Sequence, residues 1–544
     1  MNFRNNPLIL SSFAIIFSIL LLFLFYWHVA IPYLTFSDGA KFADIARNIV
    51  FGLGYNGKFS LWTKEVIDLT VRPGFPSPWI PPLMPYSIAL FFKIFGISDF
   101  SVIATSTTYF VLLIIFTFFL GRKIFGNLVG SLSAIAVSAN ENFLNYAVGG
   151  STEPLFTLEI VASAYFLTFK KRWATLIGFF LMVLMYFTRP QAFIYIAGLI
   201  FYWLLLRFKA RKAVLFFLIT IVIGFIFDHF VLSQLSGKFF FYSVLGRGSV
   251  TVTQVSAGGS ASDSLRGAAV TTSDVLIIAK KLFYNLYNFY KLLPQIISPY
   301  MSAFFAIALF KWGKDKGENS LKAASIIMII FTLVVSALSI PFFRYIHPVL
   351  PLVYLFSIST LVWIIQEIAK TEHIKVIHKQ LFINLVSIFL IILFAVGQTL
   401  GVIFLDSRFK ARTENKNKPP VYVVLSKILQ KNTGPNDLIV TNLDTWGSWY
   451  GERRTIWYPL EPELMVPPKG QNNRLNAIYL TSYLIDDPNY FMGSGWRQAF
   501  LNPNSVEDKF ISQNYTLKGV FSVKPEEDYE NQEARAVLWV IKSQ

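Results

Sequence analysis

The chain has 544 residues, 54% hydrophobic, 17% aromatic and 15% charged, with a mean hydropathy of +0.52, far more apolar than a soluble domain of this length needs. Its formal charge of +17 is concentrated in short connections between apolar runs, where membrane orientation accounts for it without nucleic acid. There is no cysteine, which excludes disulfides, thiolate metal sites and a cysteine nucleophile, and the five histidines lie in separate segments without zinc-type spacing.

The first apolar run, residues 8–30, is long enough to cross a bilayer and lacks a small-residue cleavage site, so it is expected to be a retained helix with a cytoplasmic N-terminus near Arg4. Further spans are expected near 100–120, 127–146, 153–169, 173–188, 191–206, 213–233, 295–311, 323–341, 348–366 and 381–404, about eleven transmembrane helices by the twenty-residue criterion. Arg122/Lys123, Lys170/Lys171/Arg172, Arg207/Lys209/Arg211/Lys212, Lys311/Lys314/Lys316 and Lys370/Lys375/Lys379 fall in every second connection and assign those loops to the cytoplasm. That register requires Pro81 to Gly96, apolar but proline-led, to lie along the outer interface as an interfacial helix.

Residues 31–99, 147–152, 189–190, 234–294, 342–347 and everything after 404 then face outside the cell membrane. The loop Gly246–Ser273, rich in Gly, Ser, Ala and Thr, is too polar to pack alone; long loops of this kind are disordered or act as lids. After Asp406 charges, asparagines and prolines become common. Strand-like runs follow at Asp437–Asn442, Thr455–Tyr458, Ala477–Tyr483 and Ala536–Ile541, with a helical segment at Val421–Gln430. The expected architecture is a polytopic α-helical membrane core over 1–405 and a small extracytoplasmic α/β domain over 406–544.

The outward loops gather Asp38, Arg47, Arg72, Glu153, Arg189, Arg344 and Tyr345 at one membrane surface. A carboxylate at a helix end takes a proton from an acceptor hydroxyl when partial burial raises its pKa toward the working pH. Forked, permanently charged guanidiniums suit a phosphate leaving group. Each residue also has a plain structural role open to it: Asp38 as a loop residue or cap, Glu153 as an acid opening a helix ahead of Pro154, Arg189 and Arg344 as interfacial anchors, Arg72 as part of a proline-dense turn. A transporter or lipid flippase for an anionic or lipid-linked substrate would use the same charges. It would place ionisable groups near the bilayer centre and show internal repeats; Asp228 and His229 fall in the outer half of their helix, and the two halves of the chain show no repeat.

Several segments occur in a fixed order: Asp38 followed by Ala43, Ala46 and Asn48, then Gly52-Leu53-Gly54-Tyr55, the Pro81-Pro82-Leu83 helix ending at Gly96, Gly121-Arg122-Lys123, Glu153-Pro154, Thr188-Arg189-Pro190, and Arg344-Tyr345 with Pro348 and Pro351. In that order they resemble the GT-C superfamily of integral-membrane glycosyltransferases, nearest the protein mannosyltransferase and aminoarabinose transferase group with its RgtA/B/C/D-like members. The resemblance implies an enzyme that takes a sugar, hexose or pentose, from a polyprenyl-phosphate donor and passes it with inversion to a lipid, glycan or protein acceptor on the outer face. By carry-over Asp38 is the catalytic base or acceptor-orienting acid and Glu153 a catalytic partner. Arg72, Arg189, Arg344 and Tyr345 bind substrate, Arg189 and Arg344 holding the carrier phosphate. If a divalent metal is used, Asp38 and Glu153 are its candidate ligands. One departure stands out: the family often has an acid pair in the first loop, whereas here Asp38 is followed by Gly39. Trp446-Gly447-Ser448-Trp449-Tyr450-Gly451 echoes an oligosaccharyltransferase subunit but lacks that family's Trp-Trp-Asp-Tyr-Gly run.

Overall fold

Long apolar runs fold as helices because the bilayer leaves the backbone no other partner for its polar groups. The computed structural model of the chain describes residues 7–61, 75–77, 80–235, 243–245, 252–253, 272–313, 315–339, 341–371, 376–405, 415, 418–459, 461–465, 475–483, 485 and 492–542. Its first half carries α1 (Pro7–His28), α2 (Ser37–Val50), α3 (Leu83–Phe95), α4 (Asp99–Phe125), α5 (Asn127–Ser138), α6 (Glu141–Gly149), α7 (Glu153–Leu167), α8 (Arg172–Tyr186), α9 (Ala192–Arg207) and α10 (Ala210–Phe227). Helices at Val275–Ile296, Pro299–Phe310, Lys316–Leu338, Leu350–Thr371, Val376–Ile391 and Gly397–Leu405 follow. Arg72 and all of the loop Gly246–Ser273 except residues 252–253 and 272–273 lie outside the described residues.

The chain is an integral membrane protein of helices, but they are cut differently from the expected eleven spans. Among the described residues five helices are long and apolar enough to cross a membrane, and the pair Val275–Ile296 and Pro299–Phe310, bent by 116°, makes a sixth if taken as one span. Apart from α1, of 22 residues, the apolar helices at Leu83–Phe95, Asn127–Ser138, Arg172–Tyr186 and Ala192–Arg207 are shorter, between 10 and 17 residues. The run 127–146 is two helices, because Asn140 accepts a hydrogen bond from the Phe143 N–H and starts α6 afresh. The run 295–311 begins at the bend, where Pro299 opens a new helix. The 13 residues of α3 reach only ~20 Å, short of a ~30 Å hydrocarbon core. Met84, Ile88 and Phe92 are buried on one side of it, while Leu90, Ile94 and Phe95 are exposed on the other.

Beyond the helices lies a six-stranded sheet in the order β2-β5-β4-β6-β8-β7, built from β2 (Phe59–Leu61), β4 (Leu438–Thr441), β5 (Arg454–Trp457), β6 (Ala477–Thr481), β7 (Tyr515–Val523) and β8 (Ala534–Ile541). β1 (Asn56–Gly57) and β3 (Phe75–Pro76) form a separate antiparallel pair. Alternate residues of the central strands enter different cores. Ile439, Ala477, Tyr479 and Leu538 pack with α2, α3 and the helix Val421–Asn432, whereas Leu438, Val440, Ile478 and Trp539 pack with Trp496. Burial on both faces explains why β4 and β6 are continuous apolar runs. The edge strand β2 comes from the segment between α2 and α3 and lies parallel to β5, Phe59 opposite Thr455 and Leu61 opposite Trp457.

Candidate active site

Four connections converge: the turn from α1 into α2, the turn from α6 into α7, the link from α8 to α9, and the two 3-10 turns Phe343–Tyr345 and His347–Val349. Asp38 stands in the first turn of α2. The C-terminal part of the chain pins that turn, since the Thr445 hydroxyl donates to the Ser37 carbonyl at 2.7 Å. The side chain of Asp38, about a third exposed, meets Arg344 at 3.0 Å and Lys41 at 3.5 Å. Glu153 is the first residue of α7, 1% exposed, and pairs with Arg189 at 2.5 Å; the Ser151 hydroxyl donates to its other oxygen. The Tyr345 ring joins the two pairs, with the guanidinium carbons of Arg189 and Arg344 5.7 Å and 5.8 Å from its centre. The Tyr195 hydroxyl donates to the Tyr345 carbonyl at 3.0 Å and steadies that turn.

Asp38, Glu153, Arg189, Arg344 and Tyr345 are therefore one cluster. Arg47 does not join it: buried against the sheet domain, it pairs with Asp44, donates to the Ser448 and Trp449 carbonyls, and stacks on Trp449. The aromatic run at 446–450 is packing rather than an open sugar platform. Trp449 and Tyr450 donate to the Asp99 carboxylate at 2.7 Å and 2.8 Å, and Tyr422 stacks on Trp446 at 4.3 Å.

Four further neighbours are not among the predicted site residues. Lys41 lies on Asp38 by i,i+3 helix spacing and Ser151 beside Glu153. Tyr146 and His347 share a 2.7 Å hydrogen bond through His347 Nδ1, and His347 is fully buried with no hydrogen-bond partner at Nε2 among the described residues. Helical period and chain proximity could have pointed to Lys41 and Ser151; Tyr146 and His347 meet only through a tertiary contact. Glu159, also buried, lies six residues farther along α7, where its carboxyl accepts from Thr188 at 2.8 Å.

The structure explains Gly39. A Cβ there would stand 3.0 Å from the carbonyl oxygens of both Gly149 and Gly150, so the turn before α7 leaves no room for a second acid beside Asp38. Gly150 closes α6 in the left-handed region at φ 80°, which glycine enters without steric cost.

The electrostatics reverse one expectation. Burial pushes the Asp38 carboxyl up, but Arg344, Lys41 and Arg189 together outweigh it and hold the group well below the usual carboxylate range. Three cations, Lys41, Arg189 and Arg344, face two carboxylates, Asp38 and Glu153, leaving one positive charge for an incoming anion. Among the described residues no group of three or more His, Asp or Glu side chains is placed to hold a metal ion, and Asp38 and Glu153 are each engaged by a guanidinium.

Residues 80–229 match the family model for dolichyl-phosphate-mannose-protein mannosyltransferases, a segment that holds Glu153 and Arg189. Among solved structures the chain is similar to ArnT from Cupriavidus metallidurans bound to undecaprenyl phosphate, at 12% identity over 97% of this chain and 98% of that one, with a TM-score of 0.52. It is also similar to the archaeal oligosaccharyltransferase AglB from Archaeoglobus fulgidus in complex with an inhibitory peptide and a dolichol-phosphate, at 11% identity over 87% and 69% of the two chains, TM-score 0.52. At such identities it is the fold that is shared. No curated protein matches the chain in sequence. In fold, and over residues 80–229 in sequence, the chain resembles the GT-C integral-membrane glycosyltransferases of the protein mannosyltransferase and ArnT type.

Proposed function

We propose that this membrane protein transfers a sugar from a polyprenyl-phosphate donor to a hydroxyl acceptor at the extracytoplasmic face, with inversion at the anomeric carbon. The observation that carries the reading is the pair of guanidiniums flanking Tyr345, each held by one carboxylate of the same cluster, with net positive charge. The acceptor oxygen attacks the anomeric carbon as the bond from that carbon to the phosphate oxygen breaks. The phosphate leaves with the bonding electrons toward Arg344 and Arg189, and the acceptor proton passes to the Asp38 carboxylate. Donor binding prepares the base in this scheme. A phosphate anion that draws Arg344 away from Asp38 removes the strongest cation holding its pKa down and adds a negative neighbour, so the carboxylate becomes a better proton acceptor only when donor is present. Glu153 keeps Arg189 in place.

The cluster lies at the end of the helices away from Arg122, Lys123 and Arg207, which close the opposite ends of α4 and α9. That separation supports an outward-facing site with a cytoplasmic N-terminus and the sheet domain outside. The test is label transfer in lipid nanodiscs, with radiolabelled polyprenyl-phosphate hexoses and pentoses and a glycolipid extract. Transfer and release of free polyprenyl phosphate are expected in the wild type, with a loss of ~10²–10⁴-fold in Asp38→Asn. Product of retained anomeric configuration overturns the inverting step; labelled lipid crossing the bilayer without any transfer overturns the enzyme in favour of a flippase.

A further inference from the structure

Where the sheet domain meets the membrane core there is a cavity of about 620 Å³ that the reaction scheme leaves unused. It begins at the active site, because its walls include Phe36, two residues before Asp38, Phe343, next to Arg344, and Tyr146, the partner of His347. Farther out it is lined by Asn142, Asn145, Tyr422, Tyr483, Gln532 and Glu533. No lysine or arginine lines it among the described residues, in contrast to the cationic cluster of Lys41, Arg189 and Arg344. The Asn145 amide, half-buried, has no hydrogen-bond partner among the described residues. Glu530 is already engaged, accepting from the Tyr529 hydroxyl at 2.6 Å and the Gln532 amide at 2.8 Å. Through Asn142 and Phe343 the cavity adjoins a second one of about 820 Å³, whose walls carry Asn140, Gln295, Gln398 and Thr399.

We infer that these joined cavities bind the acceptor, and that the acceptor is an uncharged oligosaccharide; this rests on the transferase reading and names its second substrate. Amides and hydroxyls that both donate and accept suit sugar hydroxyls, and the half-buried Tyr483 ring suits the apolar face of a pyranose. A cavity without cations and with carboxylates on its wall rejects a phosphorylated acceptor. Each cavity lies within the ~300–1,000 Å³ that encloses a small ligand, so the pair holds a short chain rather than one ring. Charge is thereby divided across Asp38: the donor phosphate on the guanidinium side, the neutral acceptor on the amide side.

The full-length protein in nanodiscs supplies two measurements. Saturation-transfer NMR uses neutral dextran, mannan and β-glucan fragments beside a sulfated oligosaccharide, and transfer kinetics use labelled donor with the glycolipid extract. With Asn145→Ala combined with Gln532→Ala, and separately with the isosteric Asn145→Asp in case the double variant does not fold, the neutral signal is expected to fall at least fivefold. The KM for acceptor is expected to rise at least tenfold while the KM for donor moves less than twofold. Binding only of the sulfated chain, no binding of any neutral fragment, or equal rises in both KM values overturns the acceptor site. If the wild type turns over no donor yet binds neutral fragments and loses them in the variants, the transferase reading fails and the glycan site stands. Donor turnover with unaltered acceptor KM in the variants overturns the glycan site and leaves the transferase reading standing.

Discussion

Asp38 shows how little a residue's type says about its protonation. Placed at a helix start near a membrane, a lone acid is expected to be raised by burial. Here burial does push it up, and Arg344, Lys41 and Arg189 prevail. The group is therefore ionised in the resting protein, and the part of its interaction that favours folding is present above its unfolded pKa of ~3.9 and fades as pH falls through its lower folded value. Because the side chain is a third exposed, solvent screening keeps that share small. The same balance makes a kinetic prediction. In Arg344→Gln the largest cation beside Asp38 is gone, so the acid limb of the kcat/KM profile for donor should move to higher pH than in the wild type, toward the ordinary carboxylate range. A limb that stays in place would mean that Asp38 is not the group titrating. Glu153, sealed at 1% exposure, is likewise held down by Arg189 against its burial, and leaving either partner alone in that environment carries the penalty of an unpaired buried charge.

At the scale of elements, the site depends on how closely α2 approaches the turn between α6 and α7. Gly39 sits against the Gly149 and Gly150 carbonyls, and Gly150 supplies the left-handed turn that places Glu153 at the start of its helix. Gly39→Ala should therefore force the two elements apart, costing ~1–3 kcal/mol as overpacking does. A lower thermal midpoint in detergent and a drop in transfer should appear together; an unchanged midpoint would show that the turn yields freely. The helices also show where hydropathy alone misplaces helix boundaries. Apolar composition marks the stretch 127–146 as one unit, yet Asn140 offers the Phe143 N–H a better partner than the helix can, and the chain breaks there. The resulting short helix α6 carries Asn142, Asn145 and Tyr146, which a continuous helix would have aimed differently.

At the scale of the whole molecule, the sheet is shared between distant parts of the chain. β2, from the segment between α2 and α3, covers the edge of β5, and Tyr422, Thr445 and Tyr450 reach back to the backbone of residues 34 and 37. A fragment of residues 415–544 expressed alone would leave the β5 edge open, a template for aggregation. Amide exchange at Thr455 to Trp457 should be faster in that fragment than in the intact protein, and equal protection would show that β2 adds nothing. Hydropathy and local residue pattern alone determined that this is a membrane protein, and four of the strands of its C-terminal sheet, because both are properties of the chain read locally. β7 escaped because Lys518 and the bulge at Gly519 interrupt its alternation, and β2 because three residues carry no signal of a partner some 400 positions away. Only the tertiary structure decided that Arg344 rather than Glu153 faces Asp38, that Arg47 turns away to the sheet, and that Tyr146 and His347 belong to the site. These are matters of packing between segments hundreds of residues apart, where the free energy lies in contacts that no local pattern records.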